Sequence, residues 1–147
     1  MNPRRFFHAI SYLQYPIMAC ALYFYVPFIQ KLFATQELDY QNLDYFLIML
    51  GVALSFSTLQ DTTKTQNKLS RKVWENPLFG KVFLIVVAIS TFLMIFSGLV
   101  FIVLPIESIL KDMAVGLTVL GIGFLGVLKA AIEMFENHRL DKNPKPE

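Results

Sequence analysis

Apolar residues gather in four windows that contain no Asp, Glu, Lys or Arg. The windows are Phe6–Gln30, Tyr45–Gln60, Val82–Ile106 and Met113–Leu128, with lengths of 25, 16, 25 and 16 residues. An apolar helix of about 17 to 25 residues crosses the hydrocarbon core of a bilayer. The pattern therefore predicts four membrane-spanning helices, and the repeated long-short order predicts two tandem helical hairpins.

Composition favours the same class of protein. The chain of 147 residues is 55% hydrophobic, 14% aromatic and 16% charged, with a mean hydropathy of +0.52, which is unusual for a water-soluble globule. We predict an all-α fold, an integral membrane four-helix bundle that forms one domain over residues 1–147. In chain order its parts are spans near residues 6–30, 43–61, 78–106 and 110–135, a basic connector at 61–77 and a tail at 136–147.

The first window is predicted to be a retained helix rather than a cleaved signal peptide. Arg4 and Arg5 would suit such a peptide, whose apolar region is about 7 to 15 residues long. This chain stays apolar and aromatic beyond that length, through Ala21–Ile29. Within the helix, Cys20 is expected to be a buried small apolar residue.

The distribution of basic residues predicts the orientation. If both termini are cytoplasmic, 11 of the 13 Lys and Arg residues lie inside, and only Lys31 and Lys111 lie outside. An excess of basic residues in short cytoplasmic loops is the main determinant of orientation. We therefore expect a multi-pass protein with both termini in the cytoplasm, and we take the bacterial inner membrane as the expected location.

Prolines predict where helices begin, bend and stop. Asn2–Pro3 and Asn76–Pro77 place a capping residue before a proline, a combination that suits the first helical turn. Pro16 should kink the first span and free a carbonyl that a neighbouring group must satisfy. Pro27 and Pro105 are expected to bend or stop the chain near the outer ends of the long helices.

An internal duplication would explain the hairpin pattern. A shift of 70 residues sets Leu50–Ala53 against Leu120–Gly123, so that two Leu-Gly pairs coincide. Two such copies would share an orientation and be related by a pseudo-twofold axis along the membrane normal. Unrelated membrane helices that reuse the same caps and small residues are the alternative.

The two short windows predict a polar cluster at the cytoplasmic boundary. A helix of 16 residues is about 24 Å long, less than the roughly 30 Å hydrocarbon core, so the flanking charges must approach the membrane. Alternatively, Lys129 extends towards lipid phosphate and pairs with Glu133 one turn away, without a functional role. The predicted cluster contains Gln60, Asp61, Lys129 and Glu133, and His8 or Gln14 could join it.

The fourth window holds a glycine pattern, Gly121-Ile122-Gly123-Phe124-Leu125-Gly126, that matches the dinucleotide-binding string. No strand precedes it, so close helix packing is the better interpretation. This packing face could be used inside the bundle or for self-association. The predicted face consists of Gly116, Gly123, Gly126 and Ala130.

The connector between the second and third spans is basic and carries one tryptophan. It could lie along the membrane surface and contact anionic headgroups; a docking surface for a partner and an ordinary solvated connector are the alternatives. The predicted headgroup contacts are Lys64, Lys68, Arg71, Lys72 and Trp74.

No pattern of residues indicates a catalytic, metal or cofactor site. Glu133 and His138 are five residues apart on one helix and point in different directions. Hydroxyls within the spans can bond to their own helix, and the span centres are uncharged, which argues against proton-coupled transport. The net charge of +2 does not indicate nucleic acid binding.

These features favour a non-enzymatic structural or accessory membrane subunit that contacts lipids and packs with itself or with a larger membrane complex. A homo-oligomeric channel or transporter for a small solute or ion is the alternative. A membrane enzyme is the third and least favoured class, because convergent acid, base or nucleophile groups are missing.

Overall fold

The computed structural model describes residues 3–60, 62–63, 68–104, 111 and 113–143. All regular structure in these residues is α-helical, as the hydropathy pattern predicts. Within these residues the helices with complete bounds are α1 Pro3–Ser11, α2 Gln14–Thr35, α3 Tyr40–Ser57, α4 Lys68–Glu75, α5 Pro77–Val103 and α6 Ala114–His138.

The four long helices pack in a row rather than a closed ring. In spatial order they are α2, α3, α6 and α5, and the short α4 rests against α5 and α6. Among the described residues no comparable packing joins α2 to α5. Gly80 near the start of α5 lies against Phe135 near the end of α6, and Phe24 of α2 meets Tyr45 near the start of α3, so the neighbours in these two pairs are antiparallel. The starts of α2 and α5, the ends of α3 and α6, and α4 itself share one end of the molecule, which we call the α4 end.

Contacts across the centre of the row show that α3 and α6 run in the same direction. Asp44 meets Gly116 near the start of both helices, Gly51 meets Gly123 in the middle, and Thr58 lies beside Gly126 near the α4 end. Each contact joins residues that are about 70 positions apart. Glycine is required at the middle contact, because a Cβ on Gly123 would overlap the Gly51 carbonyl oxygen.

The predicted packing face is used within the chain. Gly116 and Gly123 are buried, and Gly126 and Ala130 are half-buried. All three glycines approach α3, where a Cβ on Gly116 would lie 2.5 Å from Asp44 Oδ1 and one on Gly126 would lie 3.0 Å from Thr58 Cγ2. Of the two uses left open by the sequence, the structure supports packing inside the chain.

Three helical segments are long and apolar enough to cross a membrane: Phe6–Thr35, Pro77–Val103 and Ala114–His138. In their most apolar windows only 11%, 17% and 28% of the residues are buried, so most of their apolar side chains face outwards, as in an integral membrane protein. Helix α3 is not among them, because its first turns carry Gln41, Asn42 and Asp44.

The structure corrects the expectation for Cys20. This residue is exposed on α2 rather than buried. Helix α2 lies at the edge of the row and packs mainly against α3, so one side of it is left open. A cysteine that the sequence makes small and apolar can therefore face outwards as easily as inwards.

Several predicted helix boundaries are confirmed. Asn76 caps α5, because its side-chain oxygen accepts hydrogen bonds from the N–H groups of Leu78 and Phe79, with Pro77 in the first turn. Leu104 ends α5 in an extended conformation, as expected for the residue before a proline. Asn2 and Pro105 lie outside the described residues.

The first span breaks where Pro16 predicts. Helices α1 and α2 are separated by a turn at Tyr12–Leu13. Pro16 has no N–H to donate to the Tyr12 carbonyl, and the Tyr15 N–H donates to that oxygen at 3.1 Å instead. The freed carbonyl is therefore satisfied locally, not by a neighbouring helix. Pro27 does not stop α2, which continues for eight residues to Thr35.

The long-short order of the windows does not carry over to the helices. Helix α6 has 25 residues, nearly as many as the 27 of α5, because it continues through Lys129 and Glu133 to His138. A helix does not end at its first charged residue, since polar side chains can continue it beyond the membrane boundary. Helix α3 remains the shortest of the four, with 18 residues.

Candidate functional site

The α4 end is the part of the molecule where charged and aromatic side chains meet. Trp74 of α4, Ala131 and Phe135 of α6 form a buried cluster, against which Val73, Leu84 and Met134 pack. The Trp74 indole N–H donates to the Ser70 hydroxyl at 2.9 Å, one turn away. This cluster attaches α4 to the ends of α5 and α6.

The predicted headgroup contacts divide into two groups. Lys68, Arg71 and Lys72 are exposed on α4, and Arg71 pairs with Glu75 at 3.0 Å. Trp74 is only 7% exposed, so the structure places it in the protein core rather than against lipid. Its burial follows from packing against Ala131 and Phe135 of α6, which lie more than 50 residues away in the sequence. Lys64 lies outside the described residues.

The structure describes three of the four residues of the predicted boundary cluster. Lys129 Nζ lies 3.0 Å from Glu133 Oε1 on the same helix, and the Thr62 hydroxyl donates to Glu133 Oε2 at 3.2 Å. Gln60 is half-buried and lies three residues beyond the end of α3, while Asp61 lies outside the described residues. The pair of Lys129 and Glu133 is the alternative interpretation, which requires no functional role. The wider cluster of four residues stays a prediction.

The two residues that could join the cluster lie on the first two helices. His8 is exposed, and its ring meets that of Tyr12 edge to face at 5.4 Å. Gln14 is half-buried at the start of α2. No contact in the described structure joins either residue to Lys129 or Glu133.

Arg139, Glu136 and Asp141 form a polar cluster at the end of α6, which we call the Arg139 cluster, and the sequence did not indicate it. Arg139 donates two hydrogen bonds to Asp141, at 2.9 and 2.6 Å, and one to Glu136 at 3.0 Å. Its guanidinium also lies 5.0 Å from the centre of the Phe135 ring. These donated hydrogen bonds lower the pKa of Asp141 below its usual value. The Leu140 N–H donates to the Glu75 carbonyl, and this hydrogen bond joins the Arg139 cluster to α4.

The opposite end holds a second polar contact that the sequence did not indicate. Asp44 Oδ1 accepts a hydrogen bond of 2.6 Å from the Gly116 N–H. Gly116 lies in the first turn of α6, where backbone N–H groups lack partners within the helix, and Met113 provides no side-chain cap. A carboxylate from α3 therefore caps α6. Asp44 and Gly116 are 72 positions apart in the sequence. The sequence indicates their contact only when α3 and α6 are known to be parallel.

No group of three His, Cys, Asp or Glu side chains in the described part of the chain is arranged to hold a metal ion. An open cleft of about 350 Å³ at the α4 end is lined by Lys72, Glu75, Asn76, Pro77 and Leu140. Lys72 and Glu75 are the two charged residues of this lining. What the α4 end offers is therefore a charged surface beside an apolar core.

Comparisons of the chain with family models, curated proteins and solved structures gave no match.

Proposed function

We propose that this protein is a non-enzymatic structural or accessory subunit of a membrane, which assembles with itself or with a larger membrane complex. One observation carries the proposal: the polar groups between the helices are satisfied within the chain. Among the described residues, no buried side-chain nitrogen or oxygen lacks a hydrogen-bond partner. The surface left for other molecules is therefore the apolar sides of the helices and their charged ends.

The hydroxyl groups of the spans support this proposal over a channel. The hydroxyls of Ser55, Thr91 and Thr118 each donate to the carbonyl four residues earlier in the same helix. Hydroxyls bonded in this way need no water-filled pore. The closest approach in the row, at Gly51 and Gly123, brings backbone against backbone and leaves no opening between α3 and α6 there.

The proposed topology has four spans with both termini in the cytoplasm. Helix α3 is the one long helix that does not qualify as a span by its own length and composition among the described residues. Its place between α2 and α6 shields two of its sides. The spatial order α2, α3, α6, α5 reads as two hairpins that meet through their second helices. This is the arrangement that a pseudo-twofold axis between α3 and α6 requires, and the bacterial inner membrane remains the proposed location.

Mass measurement in a native-like membrane tests the assembly. The chain is extracted in lipid nanodiscs without detergent, and the mass of the protein component is measured. Multiples of one chain, or one chain with a different protein, would support a subunit. A single chain would contradict it. Solute or ion flux through liposomes that contain only this protein would favour the alternative, a channel or transporter.

Thiol labelling from one side of intact cells tests the topology. Cys20 is first replaced by Ala, and single cysteines are then introduced at Glu37 or at Arg71, which lie at opposite ends of the helices. We expect an impermeant reagent added outside to label the cysteine at position 37 and to spare the one at position 71. Labelling of both positions, or of neither, would contradict four spans.

A further inference from the structure

Helix α4 lies beside the first turns of α5 and does not extend away from them. The Val73 carbonyl oxygen is 3.4 Å from the point where a Cβ on Gly80 would lie. The rings of Trp74 and Phe83 meet edge to face at 5.2 Å. Phe83 is about 9 Å along α5 from Pro77, at 1.5 Å per residue. The α4 chain therefore folds back along the side of α5.

The length of α5 sets the depth of this contact in a membrane. Lys81 is the last charged residue before the apolar stretch. The helix from Val82 to Val103 is about 33 Å long, close to the roughly 30 Å of the hydrocarbon core. Lys81 and the residues before it then lie in the headgroup layer, and α4, which packs beside Gly80, lies in the same layer.

The side of α4 that faces away from the protein is basic. Lys68 and Lys72 are exposed and lie one turn apart, which places them on one face of the helix. Neither forms an ion pair with the described residues, whereas Arg71 pairs with Glu75. Interfacial helices usually insert an apolar face into the membrane. Here Trp74 is held by the protein, so the lysines are left to meet the lipid.

We propose that α4 binds the phosphate groups of anionic phospholipids through Lys68 and Lys72, and that Trp74 holds the helix at headgroup depth. The inference rests on the membrane-spanning arrangement proposed above and adds the class of lipid. Basic side chains and anionic headgroups are complementary in charge, and Lys81 lies exposed at the same level on α5. Because the attraction is electrostatic, lipids are selected by charge, and binding weakens as salt increases.

The only tryptophan in the chain makes this binding measurable, because its fluorescence comes from Trp74 alone. The full chain is placed in phosphatidylcholine nanodiscs with increasing fractions of brominated phosphatidylglycerol or, separately, of brominated phosphatidylcholine. Bromine on the acyl-chain carbons nearest the headgroup quenches indole fluorescence without direct contact, so lipids gathered at α4 quench Trp74 although protein covers its ring. We expect the anionic lipid to quench more strongly at equal fraction in 0.1 M salt, and the difference to vanish at 1 M, where the Debye length is about 3 Å.

Two double variants with the same change in charge provide the control. K68Q/K72Q removes the proposed contacts, whereas K31Q/K111Q removes two exposed lysines at the opposite end. Each lysine near an anionic surface contributes about five-fold to association. We expect K68Q/K72Q to lower the preference for the anionic lipid by roughly 5- to 25-fold, and K31Q/K111Q to leave it unchanged. Equal emission maxima without bromine would show that Trp74 keeps its position.

The outcomes separate this inference from the proposed topology. Equal quenching by the two lipids, or an equal loss in both variants, would overturn it. So would a preference that inorganic phosphate abolishes and chloride of the same ionic strength does not, since that result would indicate a site for free phosphate. The two leaflets of a nanodisc are identical, so the measurement does not depend on the direction of insertion, which thiol labelling tests separately.

Discussion

The contact between Gly51 and Gly123 is the most sensitive point of the α3–α6 interface, and replacing Gly123 with alanine tests it. A Cβ at position 123 would lie 3.0 Å from both the Cα and the carbonyl carbon of Gly51, and closer still to its oxygen. All three atoms belong to the backbone of α3, so no side chain can rotate away. The two helices must move apart, and the added methyl group should destabilise the protein.

The magnitude follows from the distance by which the helices must separate. Carbon atoms pack best at about 3.5 to 4.0 Å, so relief requires roughly 0.5 to 1 Å, a gap that forfeits a quarter to a half of the local dispersion energy. Overpacking of this kind costs about 1 to 3 kcal/mol. Alanine offsets part of that loss, because it is better than glycine by up to about 1 kcal/mol within a helix.

Gly126→Ala is the matched control, because it gains the same helix propensity as Gly123→Ala. Gly126 lies on the same face of α6, but its Cβ would meet Thr58 Cγ2 at 3.0 Å and Oγ1 at 3.1 Å. These atoms end a side chain that can rotate. We expect Gly123→Ala to be less stable than Gly126→Ala by about 1 to 3 kcal/mol.

Unfolding in mixed micelles with increasing sodium dodecyl sulfate measures the difference, with Trp74 fluorescence as the signal. The two variants and the unmodified chain are titrated under identical conditions, and the free energies of unfolding are compared. Equal stability of the two alanine variants would show that α3 and α6 do not approach through their backbones at Gly51. The proposed axis between the two hairpins would then lose its central contact.

Three further predictions concern single side chains. Asp44→Ala should cost about 0.5 to 2 kcal/mol, the usual effect of losing a helix N-cap, and should speed hydrogen exchange at the Gly116 amide, whereas Asp44→Asn, which keeps an acceptor, should retain more of the protection. Trp74→Ala should cost about 3 kcal/mol or more in thermal unfolding, and Trp74→Phe clearly less, because the ring fills the cluster between α4 and α6. Hydrogen bonds from Arg139 lower the pKa of Asp141, so ionised Asp141 stabilises the folded chain at pH values above 3.8, its unfolded pKa, and this contribution is lost as the pH falls through the lowered folded-state pKa. Carboxyl NMR should show that the titration midpoint of Asp141 rises in Arg139→Gln. An unchanged midpoint would contradict the ion pair.

Local patterns predicted much of the secondary structure. The run of apolar residues from Val82, with Asn76 and Pro77 before it, correctly placed the start of α5, because a cap and a proline act within one helical turn. The break ahead of Pro16 was predicted for the same reason. The fourth span was predicted to continue past Lys129 to about residue 135, and α6 ends at His138.

Contacts at the α4 end were harder to predict from sequence. Trp74 is an amphipathic residue in a basic segment, and such a residue suits a membrane surface and a protein core equally well. Its burial depends on Ala131 and Phe135, whose positions follow only from how α6 packs. The pair of Lys129 and Glu133 was predictable, because its spacing is one helical turn.

The sequence by itself determined that the chain is helical and suited to a membrane, because hydropathy, helix caps and prolines act over a few neighbouring residues. The tertiary structure alone decided the order of the row and the parallel course of α3 and α6. It also decided that Asp44 caps another helix and that the glycines of α6 are used internally. These features depend on residues about 70 positions apart, and packing between helices brings such residues together only when their surfaces fit.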